Sequence, residues 1–79
     1  MSEETMLERV CQILASIFNI PSEQVHADTS SATLEAWESM GHLMLILEIE
    51  QEFGVQFAPE QVEQMHDVKT IVQTLQSIL

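Results

Sequence analysis

Apolar residues recur at three- and four-residue spacing in three stretches of the chain, and this period predicts three amphipathic helices. We place them at about residues 3 to 18, at about residues 40 to 53, and from Asp67 to near the end of the sequence. Gly54 is expected to stop the second helix, because glycine tolerates the left-handed backbone of a helix C-terminus. Between the second and third helices, Pro59 fits the first position of a fourth, short helix, where its missing N–H costs nothing.

Each long helix has an apolar stripe that is predicted to face a common core. The polar residues Ser2 and Asp67 are expected to cap the first and last helices. On the second helix, Leu43 and Leu47 are predicted to be buried, whereas Met40 and Met44 are predicted to form an exposed, adaptable patch. The predicted core residues are Leu7, Val10, Leu14, Ile17, Phe18, Leu43, Ile46, Leu47, Ile49, Phe53, Val68, Ile71, Val72, Leu75 and Ile78.

Residues 19–38 lose this period and are rich in Pro, Ser, Thr, Asp and Ala, with isolated apolar anchors that include Val25 and Trp37. A loop of this length is uncommon in a compact domain unless it is functional. We expect the anchors to fold back onto the bundle and to hold Ser39 at an exposed corner. The predicted fold is all-α, a four-helix bundle with three longer helices and one short, a long loop between helices 1 and 2, and a single domain over residues 1–79.

The charge of the chain narrows the classes of partner. Thirteen acidic residues stand against Arg9 and Lys69 alone, which gives a formal net charge of -11 over 79 residues. Such a surface repels nucleic acid and anionic membranes, and it attracts basic patches on proteins. No apolar run approaches the roughly 20 residues that span a bilayer. Since Cys11 has no second cysteine to pair with, we expect it to be a small buried hydrophobe in a reducing compartment. We also expect a cytoplasmic monomer.

Glu38-Ser39-Met40 stands at the predicted start of the second helix. The first turn of a helix has unpaired N–H groups and the positive end of the macrodipole, so a phosphate on the Ser39 hydroxyl would be stabilised there. The same serine could instead be only a helix cap. These residues, with the downstream Leu47-Glu48-Ile49-Glu50-Gln51-Glu52-Phe53-Gly54 and the segments around Val55 and Met65, resemble the modification site of an acyl carrier protein.

The resemblance implies a function that the residue pattern alone does not. A phosphopantetheinyl transferase would attach 4'-phosphopantetheine from coenzyme A to Ser39 through a phosphodiester, and the thiol of this arm would carry acyl groups as thioesters. The protein would have no catalytic activity of its own. Its partners would be acyl-loading and acyl-transferring enzymes with basic docking patches, and the residues expected to recognise them are Glu38, Met40, Leu43, Met44, Leu47, Glu48, Glu50, Glu60 and Glu63.

Several alternatives remain open at this point. The cargo could be aminoacyl or peptidyl instead of acyl, or the chain could be an unmodified acidic helical adaptor. Glu38 departs from the aspartate that the family commonly has before its serine. The site from Trp37 to Leu43 resembles the carriers of specialised metabolite or surface-polysaccharide pathways more than those of housekeeping fatty-acid synthesis. A serine hydrolase built from Ser39 and His42 is rejected because no oxyanion hole accompanies it, and the three histidines lack metal-ligand spacing.

Overall fold

The computed structural model describes residues 2–79, and it is helical throughout apart from connecting loops. A short 3₁₀ turn at Ser22–Gln24 lies within the first loop, and one isolated bridge pairs Ser30 with Asp67. The predicted all-α fold, with three longer helices, one short helix and a long first loop, is confirmed. The helices are α1 (Glu3–Phe18), α2 (Ser39–Phe53), α3 (Pro59–Gln64) and α4 (Val68–Ile78).

The helix ends use the residues that the sequence predicts. The Ser2 side chain accepts a hydrogen bond from the Thr5 amide at 3.2 Å, and Asp67 Oδ1 accepts one from the Thr70 amide at 2.7 Å. Gly54 ends α2 in the left-handed region, with φ of 65°. Each cap satisfies backbone groups that have no partner inside the helix, so these boundaries are fixed locally.

α1 packs against both α2 and α4 around a core of aliphatic side chains. The prediction that Ile78 is buried is wrong: it remains 39% exposed, because it is the last residue of α4 and no further helical turn covers it. Leu7, Ile17 and Phe18 are only half-buried at the edge of the core. The fully enclosed residues are Val10, Leu14, Leu45, Ile49, Met65, Val68, Ile71 and Leu75.

The buried face of α2 is only partly the predicted one. Leu43 and Leu47 are each 58% exposed, so their assignment to the core is wrong. Ile46 and Ile49 are buried as predicted, and His42 and Leu45 complete the core face at three- and four-residue spacing. As a result, α2 presents apolar side chains both to the core and to solvent.

The first loop is tied to the start of α4 by backbone hydrogen bonds. The Ser31 amide donates to the His66 carbonyl at 2.9 Å, and the Val68 amide donates to the Thr29 carbonyl at 3.0 Å. Val25 and Trp37 are buried as predicted and anchor the loop in the core. The loop therefore has a fixed course, and it delivers the chain to Ser39 in a defined position.

Gly41 allows the first turn of α2 to lie close to the loop and to α1. A Cβ at this position would stand 2.6 Å from the Ala36 carbonyl oxygen and 2.7 Å from Phe18 Cε1. We expect Gly41→Ala to lower the free energy of unfolding by about 2 kcal/mol, even though alanine is favoured over glycine in a helix by about 1 kcal/mol.

Denaturant unfolding checks this prediction, with Gln51→Ala at an exposed position of the same helix as the control. The control should change stability by less than about 0.5 kcal/mol. An increase in stability for Gly41→Ala would show that helix propensity outweighs the close approach, contrary to the prediction.

Candidate functional site

Ser39 is the first residue of α2, and it is exposed. The N-cap is not Ser39 but Glu38, whose Oε1 accepts a hydrogen bond from the Gly41 amide at 3.1 Å. Within residues 2–79, the Ser39 hydroxyl has no hydrogen-bond partner in the protein. The interpretation of Ser39 as a helix cap is therefore wrong, because its neighbour performs that role and leaves the hydroxyl free.

His42 lies one turn further along α2. The sequence did not lead us to predict a structural role for it. It is buried, and both of its ring nitrogens are engaged. Trp37 Nε1 donates to Nδ1 at 2.8 Å, and Nε2 lies 2.8 Å from the Val62 carbonyl oxygen. Because the indole N–H can only donate, Nδ1 is the acceptor and Nε2 carries the hydrogen that bonds to Val62.

This arrangement fixes His42 as the neutral Nε2–H tautomer and commits both nitrogens. It is thus not available as a base for the Ser39 hydroxyl. His66 stacks on the His42 ring with centroids 4.8 Å apart, whereas the Trp37 ring lies at the edge of the imidazole with its centroid 6.1 Å away. A signal for this role was present in the sequence, since His42 falls on the same helical face as Leu45, Ile46 and Ile49.

An open cleft of about 560 Å³ lies beside Ser39. The start of α2 forms one side, with Leu43 next to the serine, and α3 forms the other side with Val62 and Glu63. Trp37, Glu38, His42 and His66 complete the lining together with Ser31. A group attached to Ser39 would therefore meet a surface that is apolar on both helices and has acidic residues at its rim.

An apolar stripe extends from this cleft along the outer face of α2. Met40, Leu43, Met44 and Leu47 are 54% to 72% exposed, and they repeat at the spacing of one helical face. Large apolar side chains grouped on the surface of a small protein commonly mark a site of interaction. Met40 and Met44 are exposed as predicted, and the two leucines that were assigned to the core join them.

The acidic residues predicted to recognise partners differ in exposure and in hydrogen bonding. Glu48, Glu60 and Glu63 are exposed, and Glu63 lies at the cleft. Glu50 is half-buried, and its Oε2 accepts a hydrogen bond from the Phe57 amide at 2.8 Å, so this carboxylate holds the segment after α2 in place. Among residues 2–79, no group of His, Cys, Asp or Glu is arranged to hold a metal ion.

Cys11 is half-buried on α1, and burial raises the pKa of its thiol above the ordinary value. Since the thiolate is the reactive form, we expect iodoacetamide to alkylate native Cys11 more slowly at pH 7.5 than the same thiol in the unfolded chain. The rate should increase as the pH rises towards the raised pKa. A time course followed by mass spectrometry measures both rates, and equal rates in native and unfolded protein would contradict the prediction.

No helix within residues 2–79 is both long and apolar enough to cross a membrane. The structure is similar to that of the acyl carrier protein from Enterococcus faecalis, with 29% sequence identity, a TM-score of 0.77 and coverage of 98% of each chain. The sequence is 29% identical over 72 residues to an acyl carrier protein of Thermosynechococcus vestitus, which covers 91% of this chain and 89% of that protein. It is 25% identical over 79 residues to acyl carrier protein 3 of Ralstonia nicotianae, with coverage of 100% and 91%.

The family model for the phosphopantetheine attachment site matches residues 8–75. The site described above fits such a group, because it offers an exposed serine hydroxyl without a protein partner at a helix start, where an attached phosphate is stabilised by the backbone N–H groups. The chain therefore belongs to the family of carrier domains with a phosphopantetheine attachment site, which includes the acyl carrier proteins, and its cofactor is covalently attached 4'-phosphopantetheine.

Proposed function

We propose that Ser39 is the attachment point of 4'-phosphopantetheine and that the chain is an acyl carrier protein that presents acyl intermediates to partner enzymes. The observation that carries the proposal is the free hydroxyl of Ser39 at the start of α2, with the cap supplied by Glu38. A serine that only stabilised its helix would use its oxygen for the backbone N–H groups. Ser39 does not, so its side chain is available for modification.

The first turn of α2 supplies an environment that suits a phosphodiester. The N-terminus of this 15-residue helix carries the positive end of the macrodipole, and an anion there is stabilised by roughly 0.3 to 1 kcal/mol. Glu38 adds a negative charge beside Ser39, but its carboxylate is already bonded to the Gly41 amide. The attached phosphate and the Glu38 carboxylate can therefore share the unpaired N–H groups of the first turn.

The chain's own residues position the arm and do not activate it. When attached, 4'-phosphopantetheine supplies a terminal thiol that holds an acyl group as a thioester. His42 cannot take the proton of the Ser39 hydroxyl, because both of its nitrogens are engaged with Trp37 and Val62. We infer that the base for attachment belongs to the transferase, and that the carrier has no catalytic activity of its own.

The proposed partner surface combines the apolar stripe of α2 with a rim of acids. Met40, Leu43, Met44 and Leu47 provide the apolar centre, and the exposed Glu48, Glu60 and Glu63 provide negative charge around the cleft and α3. Glu38 and Glu50 contribute charge while their carboxylates accept backbone hydrogen bonds. The matching partners are a phosphopantetheinyl transferase and acyl-handling enzymes whose docking sites have an apolar groove and basic edges.

We also propose that this carrier serves a specialised biosynthetic pathway as a cytoplasmic monomer, with residues 1–79 as one domain. The proposal of a specialised pathway is supported by the α2 stripe, where apolar side chains take positions at which many carriers have acids. The net charge of -11 disfavours association between copies of the chain. Mass spectrometry of the Ser39 peptide from native cells identifies the thioester, and an aminoacyl or peptidyl group there would replace the acyl assignment.

The attachment is tested by incubating the purified chain with coenzyme A and a broad-specificity phosphopantetheinyl transferase. Intact mass spectrometry should show the addition of one arm per chain, and peptide mapping should locate it on Ser39. The absence of any added mass, or an arm on another residue, would contradict the proposal. An unmodified chain would instead support the alternative of an acidic helical adaptor.

A further inference from the structure

α3 has little packing of its own, although it forms one wall of the cleft beside Ser39. None of its six residues is buried, and Val62 is only partly buried against the core. Within residues 2–79, the hydrogen bond between His42 Nε2 and the Val62 carbonyl is the one that joins α3 to another helix. The buried Phe57 and Met65 hold the segments on either side of α3, and the bond from His42 fixes the middle of the helix against α2.

The same imidazole is fixed on its other edge to the segment that precedes Ser39. Trp37 lies two residues before the serine, His42 lies three residues after it, and their side chains are hydrogen-bonded at 2.8 Å. Trp37 is buried and packs near Phe18, with ring centroids 6.0 Å apart, so it does not move freely. His66 stacks on the His42 ring with an interplanar angle of 19°.

We propose that His42 is a positioning residue that fixes α3, with Glu60 and Glu63, at a set distance and orientation from Ser39. The imidazole does this through two separate bonds: Nδ1 accepts from Trp37, and Nε2 donates to Val62. Loss of the second bond loosens α3 between its buried flanking residues, so that Glu60 and Glu63 are held less precisely relative to Ser39. A transferase that recognises both Ser39 and α3 then binds more weakly, although the serine itself is unchanged.

The two bonds can be separated with two amide variants of the same position. The amide nitrogen of glutamine replaces Nε2 and can still donate to the Val62 carbonyl, so His42→Gln keeps the bond to α3. The amide oxygen of asparagine replaces Nδ1 and can accept from Trp37, but His42→Asn is too short to reach Val62. Val72→Ala, in the core face of α4, is the control for a general loss of stability.

Hydrogen exchange of the α3 amides is the first measurement, with the indole N–H signal of Trp37 as the marker of the other bond. We expect exchange in α3 to increase about fivefold or more in His42→Asn. In His42→Gln it should stay within about twofold of the rate in the chain without a substitution. In Val72→Ala, exchange in α3 should increase by no larger a factor than exchange in the rest of the chain. Equal exchange of α3 in the two His42 variants, or an equal increase in Val72→Ala, would overturn the proposal.

The second measurement is the rate at which a phosphopantetheinyl transferase modifies each variant. We expect the KM for the carrier to rise about threefold to tenfold in His42→Asn with little change in kcat, and to be restored in His42→Gln. Unchanged KM in His42→Asn would overturn the inference about docking. This part rests on the proposed function, whereas hydrogen exchange does not: if the unmodified sequence accepts no arm, the proposed function fails and the exchange data still decide the role of His42.

Discussion

Replacement of Ser39 with alanine should abolish attachment of the arm and leave the stability of the chain almost unchanged. Attachment is lost because the hydroxyl that forms the phosphodiester is gone. Stability is retained because this hydroxyl bonds to no other group in the described part of the chain, and alanine is favoured in helices. The free energy of unfolding should change by less than about 0.5 kcal/mol, compared with about 1 kcal/mol for loss of a serine cap.

Two neighbouring residues provide controls for this result. Ser31 lines the same cleft, so Ser31→Ala should still accept one arm, which shows that position and not proximity selects the residue. Glu38→Ala removes the observed cap and should cost about 1 kcal/mol while Ser39 remains modifiable. Intact mass and denaturant unfolding measure both properties on each variant. An arm that persists in Ser39→Ala, or a large loss of stability there, would contradict the assignment of Ser39.

The helix boundaries could be predicted because they depend on a few adjacent residues. Ser2, Asp67 and Gly54 act within one turn of the helix that they begin or end, so their roles follow from residue type and position. The burial of Trp37 was predictable for a related reason, since moving a large apolar side chain out of water lowers the free energy of the folded chain. Local rules thus account for the elements and for the exposed corner at Ser39.

The orientation of α2 could not be predicted in the same way. Two stripes share the helical period: Leu43 and Leu47 belong to one, and Leu45 and Ile49 belong to the other. A helix with apolar residues around most of its circumference does not reveal which face is buried. The structure resolves this through Gly41 and His42, because the first allows close approach to Ala36 and the second bonds to Trp37 and Val62.

Pairings between distant residues were likewise beyond the sequence. Glu50 was predicted to be part of the acidic partner surface, but its carboxylate accepts a hydrogen bond from the Phe57 amide in the segment that follows Gly54. His42 was considered only as a hydrolase partner of Ser39 or a metal ligand, and both were rejected, whereas in the structure it is buried, bonds to Trp37 and stacks on His66. Both roles depend on how α2 packs against other segments, which a single sequence does not show.

The two stripes of α2 predict opposite results for two leucines that stand two residues apart. Leu45 is fully buried in the core, so Leu45→Ala should lower the free energy of unfolding by about 3 kcal/mol, from lost burial and the cavity that remains. For a chain of this size, total stability is roughly 4 to 12 kcal/mol, and a loss of this kind lowers Tm by more than about 10 °C. Calorimetry or thermal unfolding followed by circular dichroism measures the change.

Leu47→Ala is the matched variant, because it makes the same substitution in the middle of the same helix and the change in helix propensity is therefore equal. With Leu47 at 58% exposed, its loss should cost less than about 0.5 kcal/mol of stability. The same variant should raise the KM of a phosphopantetheinyl transferase for the carrier by about fivefold, since an apolar residue at the centre of an interface loses its contact. A stability loss as large as that of Leu45→Ala would show that Leu47 is packed inside the protein. The proposed partner surface would then lose Leu47 from its apolar stripe.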